Sequence, residues 1–141
     1  MLVDMHLHES TYSSDSKMTL AEIVSDAKAK GLDGVCITDH DSMGLKEVAE
    51  AYSKEVDFPI FVGVEGGFCI SCHPFRNNNR GLEHHLKDVH GLGGVEVLNG
   101  STSLEANREA LRYCNELGLV PIGASDAHWT SQLGKYATYL P

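Results

Sequence analysis

With 141 residues, the chain has length for one domain over residues 1–141 and a single core, and not for two. Apolar residues make up 42% and charged residues 22%, the balance of a folded globular protein and not of a disordered one. The formal net charge of −9 argues against long nucleic acid as a partner, because displacing counterions from that backbone takes Lys and Arg.

In chain order, residues 2–7 read as a short strand whose carboxyl end delivers His6 and His8. Glu9 to Lys17 is polar and rich in Ser, hence a loop. Thr19 and Glu22 have the spacing of a capping box. Leu20, Ile23, Val24 and Ala27 then follow the i, i+3, i+4, i+7 pattern of a helix with one buried face, stopped by Gly31. Gly34 to His40 is an apolar run ending in polar groups, a buried strand with a functional tip. A polar helix follows from about Gly44 to Lys54. Pro59 to Glu65 and Gly67 to Cys72 read as two further strands, residues 82–90 as a short helix and Gly94 to Leu98 as another strand. Leu104, Ala106, Ala110, Leu111 and Cys114 put a helix on Ser103 to Leu117, closed by Gly118. Leu119 to Ser125 is strand-like and leads into Asp126 and His128, and Lys135 to Leu140 is a last short strand.

Strands alternating with helices imply parallel βαβ units, which bind ligands at the carboxyl ends of their strands. Those ends carry His6, His8, Asp39, His40, Glu65, His73, Asn99, Asp126 and His128. One junction breaks the pattern. A single residue separates the strand ending at Glu65 from the next, whereas a parallel pair needs a crossover of about a dozen residues. Either one of the two is not a sheet strand or, the favoured reading, a segment that the fold requires is absent between Glu65 and Gly66.

The chemistry is that of cations. His-Leu-His on a strand puts His6 and His8 on one face, suited to a first-row divalent metal. His40, beside Asp39 and Asp41, adds a third imidazole; Asp39 is placed to hold a neighbouring ring, and Asp41 to cap the next helix. Glu65 closes an apolar strand, where a carboxylate needs a cation or donors. Asp126 and His128 repeat the pattern two residues apart. Cys69-Ile-Ser-Cys72-His73 matches a haem-attachment pattern, but the N-terminus has no basic stretch leading into an apolar run and no second cysteine pair completes a zinc ribbon. The four cysteines are expected as free thiols, with Cys69 and Cys72 acting as small buried hydrophobes. No apolar run reaches the ~18 residues of a membrane span. The expected location is the cytoplasm, with no membrane partner; oligomeric state is open.

Asp4-Met-His6-Leu-His8, Ile37-Thr-Asp-His40-Asp41, Gly63-Val-Glu65, His73-Pro-Phe-Arg76 and Ser125-Asp126-Ala-His128 resemble the ordered motifs of the PHP (polymerase and histidinol phosphatase) family. The resemblance implies an α/β fold, a distorted (β/α)7 barrel. It also implies hydrolysis of phosphate esters by a metal-activated hydroxide at a site of two or three divalent ions. Carried over position by position, His6, His8, His40, Glu65, His73, Asp126 and His128 are metal ligands. Asp15 resembles the acidic residue that often follows the first motif. The family usually has a longer stretch between its glutamate and His-Pro motifs, in agreement with the junction above.

A mixed imidazole and carboxylate set suits Zn, Mn or Fe better than Mg. Arg76 and Asp126 are the expected catalytic groups, with Arg76 holding a phosphate oxygen and Asn99 contacting substrate; Asn99 and Asn77 read equally well as turn residues. His84, His85 and His90 are read as solvated. The expected substrate is a small phosphorylated metabolite or nucleotide. The alternatives are a non-catalytic metal-binding or regulatory domain and a hydrolase of a non-phosphate ester or amide.

Overall fold

The computed structural model describes residues 1–63, 69–78 and 81–141. Strand β1 (Leu2–Leu7) lies parallel to β2 (Gly34–Ile37), and β2 parallel to β3 (Ile60–Val62). The short C-terminal β7 (Thr138–Tyr139) closes the other side of β1 in the antiparallel sense. A second sheet is parallel throughout, in the order β4 (Cys69–Ser71), β5 (Leu92–Asn99), β6 (Val120–Ala124). The expected α/β organisation with parallel strands is therefore present. No closed barrel is formed among the described residues.

The two sheets meet where β1 passes the end of β6. Leu7 bridges Ala127 in parallel, Asp126 N donates to His6 O at 2.8 Å, and His8 N donates to Ala127 O at 3.1 Å. Asp4 staples this seam from inside β1: Oδ1 accepts Ser125 N at 2.9 Å and Oδ2 accepts Gly134 N at 3.0 Å. A buried carboxylate is tolerated there because backbone donors satisfy both its oxygens. The seam thus brings the tip of β1 against the segment following β6, the first and last sources of site residues.

Helix α1 (Leu20–Ala29) begins as the sequence dictates. Glu22 N donates to Thr19 Oγ1 at 3.4 Å and Thr19 N donates to Glu22 Oε2 at 2.9 Å, a complete capping box. Ile23, Val24 and Ala27 are buried against the first sheet, and Gly31, at φ 75°, supplies the left-handed turn that ends the helix. Helix α2 (Lys46–Val56) buries Ala49. Its N-cap is Leu45, with no side-chain cap bond, so the expected cap at Asp41 does not form: Asp41 is exposed in a left-handed turn (φ 52°), four residues too early to reach the helix.

Helix α3 (Leu104–Leu117) starts at Ser103, whose hydroxyl accepts Ala106 N at 3.2 Å, and ends at Gly118 (φ 65°). Its buried face departs from expectation. Leu104 and Leu111 are exposed, and the face is made by Asn107, Ala110 and Cys114. Asn107 wins the inward place because its amide closes a two-bond ring with the backbone of Asn99: Nδ2 to Asn99 O and Asn99 N to Oδ1, both 3.1 Å. The expected helix at 82–90 is a 3-10 turn over Glu83–Asp88, anchored by Leu86.

Cys36 and Cys114 are buried thiols as expected, but Cys69 is exposed and Cys72 half-buried. Strands β3 and β4 edge different sheets, so the short connection between them joins no parallel pair among the described residues. Glu65, and the expected gap after it, lie outside the described residues. Among the described residues no helix is long and apolar enough to cross a membrane.

Candidate metal centre

The tip of β1 holds the centre of the site. His6 and His8 are both buried, and their Nε2 atoms face each other at 3.2 Å. Each also lies 3.5 Å from Asp126 Oδ1. Ligands on a tetrahedral zinc at its usual 2.0–2.1 Å bond length stand about 3.3–3.4 Å apart. The triangle of two nitrogens and one oxygen therefore has the edge lengths of one face of such a shell. Two imidazole nitrogens aimed at each other, with an acid completing the face, fit a shared cation.

A second group opens toward solvent. Asp15 Oδ2 lies 3.3 Å from His40 Nε2 and 3.3 Å from His128 Nε2. The His8 ring packs between them, with centroids 4.3 Å from His40 and 4.4 Å from His128. His128 is fixed by Gln132, whose Oε1 accepts His128 N at 3.0 Å, and its own Nδ1 lies 3.1 Å from Asp126 O. Thus His8, His40 and His128 form one possible ligand group and His6, His8 and Asp126 another, sharing His8.

Behind the first group stands a residue that sequence reasoning missed. Glu96, on β5, is completely buried. Its Oε1 faces His6 Nδ1 at 3.1 Å, while Oε2 accepts His73 N at 2.7 Å and Asn99 Nδ2 at 3.0 Å. A carboxylate on Nδ1 fixes the tautomer that leaves Nε2 free to bind a cation. The signal was available: Glu96 sits between Val95 and Val97 in an apolar strand, the same argument that singled out Glu65.

Asn99, expected to touch substrate, is fully buried. Its Nδ2 bridges Glu96 Oε2 and Asp126 Oδ2 (3.2 Å), and its Oδ1 accepts Ser101 N and Thr102 Oγ1, so it spaces the two acids. Asp39 reaches the site indirectly: Oδ1 accepts Ser13 Oγ at 2.8 Å, and that hydroxyl lies 3.4 Å from His8 Nδ1. Arg76 Nη1 donates to Asp126 Oδ2 at 2.5 Å, and its side chain remains 31% exposed, open to a ligand from the solvent side.

His73 and Asp126 both hold positive φ, 30° and 53°. Such backbone costs about 1–3 kcal/mol per residue and persists where neighbours over-determine it. Here those neighbours are Glu96, which binds His73 N, and His6 O, which binds Asp126 N. His73 stacks on His6 with centroids 5.7 Å apart, and its buried Nδ1 has no hydrogen-bond partner among the described residues. A polar atom left so costs about 1–3 kcal/mol unless a ligand completes it.

The charges divide accordingly. Burial opposes charge on His6, yet its partners Cys72 and Glu96 hold its pKa well above the usual value. Burial, with the neighbouring imidazoles, pushes His8 down, and burial pushes His73 down. Burial also opposes ionisation of Asp126, but His8, His6, His73 and Arg76 together hold it far below the usual carboxylate range. His8 and His73 are therefore offered as neutral imidazoles and Asp126 as an ionised acid, the forms that bind cations, while His6 holds a proton that a cation would displace. His84, His85 and His90 are exposed and apart from it, as expected. A cavity of about 680 Å³ beside Phe75 and Asn77, also lined by Arg108 and Arg112, contains none of the clustered imidazoles.

Comparison with known proteins agrees with this geometry. Residues 4–135 match the model of the PHP domain family. A protein of Thermotoga maritima named "probable histidinol-phosphatase" is 37% identical over 57 residues, which are 40% of this chain. The match spans only 24% of that protein's length. The crystal structure of a "putative metal-dependent phosphoesterase" from Bifidobacterium adolescentis superposes with a TM-score of 0.76, covering 96% of this chain and 92% of its own at 16% identity. That likeness is one of fold.

Proposed function

This chain belongs to the PHP domain family, and from that premise we propose that it hydrolyses phosphate esters of small metabolites or nucleotides at a divalent-metal centre. The observation that carries the proposal is the His6–His8–Asp126 triangle, with its 3.2 and 3.5 Å edges. These three residues would hold one ion, and Asp15, His40 and His128 beside His8 a second. His73, whose Nδ1 has no partner among the described residues, and Glu65 are proposed as the remaining ligands, which leaves room for two or three ions of Zn, Mn or Fe. What supports a distorted (β/α)7 barrel within a single domain over 1–141 is that seven strands are present among the described residues and that the segment following β6 bridges β1 at Leu7 and Ala127. The cytoplasm is the proposed location.

When bound, divalent ions lower the pKa of water to near neutrality and stabilise charge on phosphoryl oxygens. The chain's own residues set the stage. Glu96 keeps His6 in one tautomer, and Asn99 keeps Glu96 and Asp126 at a fixed spacing. Arg76 neutralises Asp126 before substrate arrives, and its exposed part offers planar N–H groups to a phosphate oxygen. Held ionised, Asp126 would present Oδ1 to the cation while Arg76 and Asn99 hold Oδ2. The net charge of −9 lies outside this centre's role, because cations reverse it locally for a phosphorylated ligand.

The test is hydrolysis of nitrophenyl phosphate, as mono- and diester, by protein loaded with Mn or Zn. Release of nitrophenol that chelator abolishes is expected. Absence of turnover with every ester at full metal occupancy would instead mark a binding module.

Metal affinity should also depend on pH in a stated direction. His6 keeps its proton to higher pH than a free imidazole, so a cation has to displace it. Affinity should rise between about pH 6 and pH 8, measured by competition with a chromophoric chelator. In the metal-free protein the sign of His6's contribution reverses: it is fully present below the unfolded value of about 6.5 and is lost as pH rises through the folded one. A flat affinity profile over that range would contradict the assignment of His6.

A further inference from the structure

The Cys-x-x-Cys-His segment is not absorbed by the function so far. Its two thiols part company in the fold. Cys69 is exposed on β4, while Cys72, just past the end of that strand, turns inward beside His6. Sγ of Cys72, a ring nitrogen of His6 and a carboxylate oxygen of Glu96 all lie within 4.8 Å of one another. His6 and Glu96 are almost wholly buried there. His73, the next residue, has a buried Nδ1 with no partner among the described residues. A soft sulfur thus stands among hard donors at the inner wall of the site.

We propose that Cys72 is a metal ligand of this centre, and that its thiolate gives the inner position a preference for zinc over manganese. The inference rests on the metal-centre reading above and adds a ligand to it. As the metal–sulfur bond forms, the thiol proton passes to solvent and no oxidant or reductant is required. Thiolate ligands select zinc and other soft or borderline ions, whereas carboxylate, carbonyl and water suit manganese and magnesium. Zinc–sulfur bonds near 2.3 Å and zinc–nitrogen bonds near 2.0–2.1 Å fit within a triangle of this size. The other thiols are placed differently. Cys114 packs in the core from the buried face of α3, and burial pushes the Cys36 thiol up to about 11.

Cobalt substitution reads the ligand directly. Full-length protein loaded with Co(II) should show a near-ultraviolet sulfur-to-cobalt charge-transfer band beside the visible d–d bands. C72S should lose the charge-transfer band and keep d–d bands, while C69S should keep both. In competition, C72S should lose at least tenfold of the zinc-over-manganese preference of the native protein. Should C72S fail to fold, cadmium-113 NMR of the native protein gives the same answer, since a thiolate ligand moves the resonance far downfield of an all-nitrogen and oxygen site. Visible d–d bands without a charge-transfer band would overturn the Cys72 assignment and leave the metal centre standing. No cobalt bound at all would overturn both.

Discussion

Glu96→Ala should lower the melting temperature of the metal-free protein by about 10 °C, on the basis of ~3–5 kcal/mol for removing one partner of a buried charged network and ~2–4 °C per kcal/mol at this chain length. The size follows from what the substitution strands. The carboxylate accepts from the backbone of His73 and the amide of Asn99, and faces the Nδ1 of His6, all in a place closed to solvent. Alanine leaves those donors unpaired and opens a cavity, and it frees the strained backbone at His73 (φ 30°) from the bond that holds it. Glu96→Gln keeps the volume and one acceptor, so it should cost roughly half as much. Differential scanning calorimetry measures both. A Glu96→Ala variant melting within a degree or two of native would show that the Glu96 network contributes little to stability.

Asp126→Ala should remove bound metal from the inner group and reduce hydrolysis by about a thousandfold or more, the scale of losing a principal electrostatic element of a site. One Asp126 oxygen stands 3.5 Å from both His6 and His8, and the other accepts from Arg76 and Asn99. Removing the side chain takes a ligand, breaks the triangle and leaves the guanidinium without its acid. His40→Ala provides the contrast. His40 is 47% exposed in its side chain, so that variant should fold normally and lose metal only from the outer group. Metal content by mass spectrometry after desalting separates the cases. Native stoichiometry in both variants would contradict the ligand assignment.

Much of this site was legible because its residues sit at strand tips. His6, His8, His40, His73, Asp126 and His128 each follow an apolar run, and the parallel arrangement carries such tips to one face. Local rules served equally well where the interaction is local: Thr19 and Glu22 cap α1, and Gly31 and Gly118 end their helices with positive φ. What stayed hidden depends on contacts across the chain. Glu96 lies mid-strand and acquires its meaning only when the fold brings its carboxylate to His6 Nδ1 from the other sheet. Asn107 displaces Leu104 and Leu111 from the inner face of α3 because the Asn99 backbone needs its amide. Cys72 looked like a core thiol on an apolar strand, and only the turn after β4 aims it at His6. Asp39 was expected on a ring and reaches it through Ser13, whose hydroxyl lies 26 residues away in sequence.

Diffraction from crystals grown with zinc, recorded on both sides of the zinc absorption edge, tests convergence on shared cations most directly. Anomalous peaks are expected within bonding distance of His6, His8 and Asp126, and again beside Asp15, His40 and His128. Well-ordered side chains at those positions with no anomalous density between them, in crystals soaked to saturation, would contradict the account.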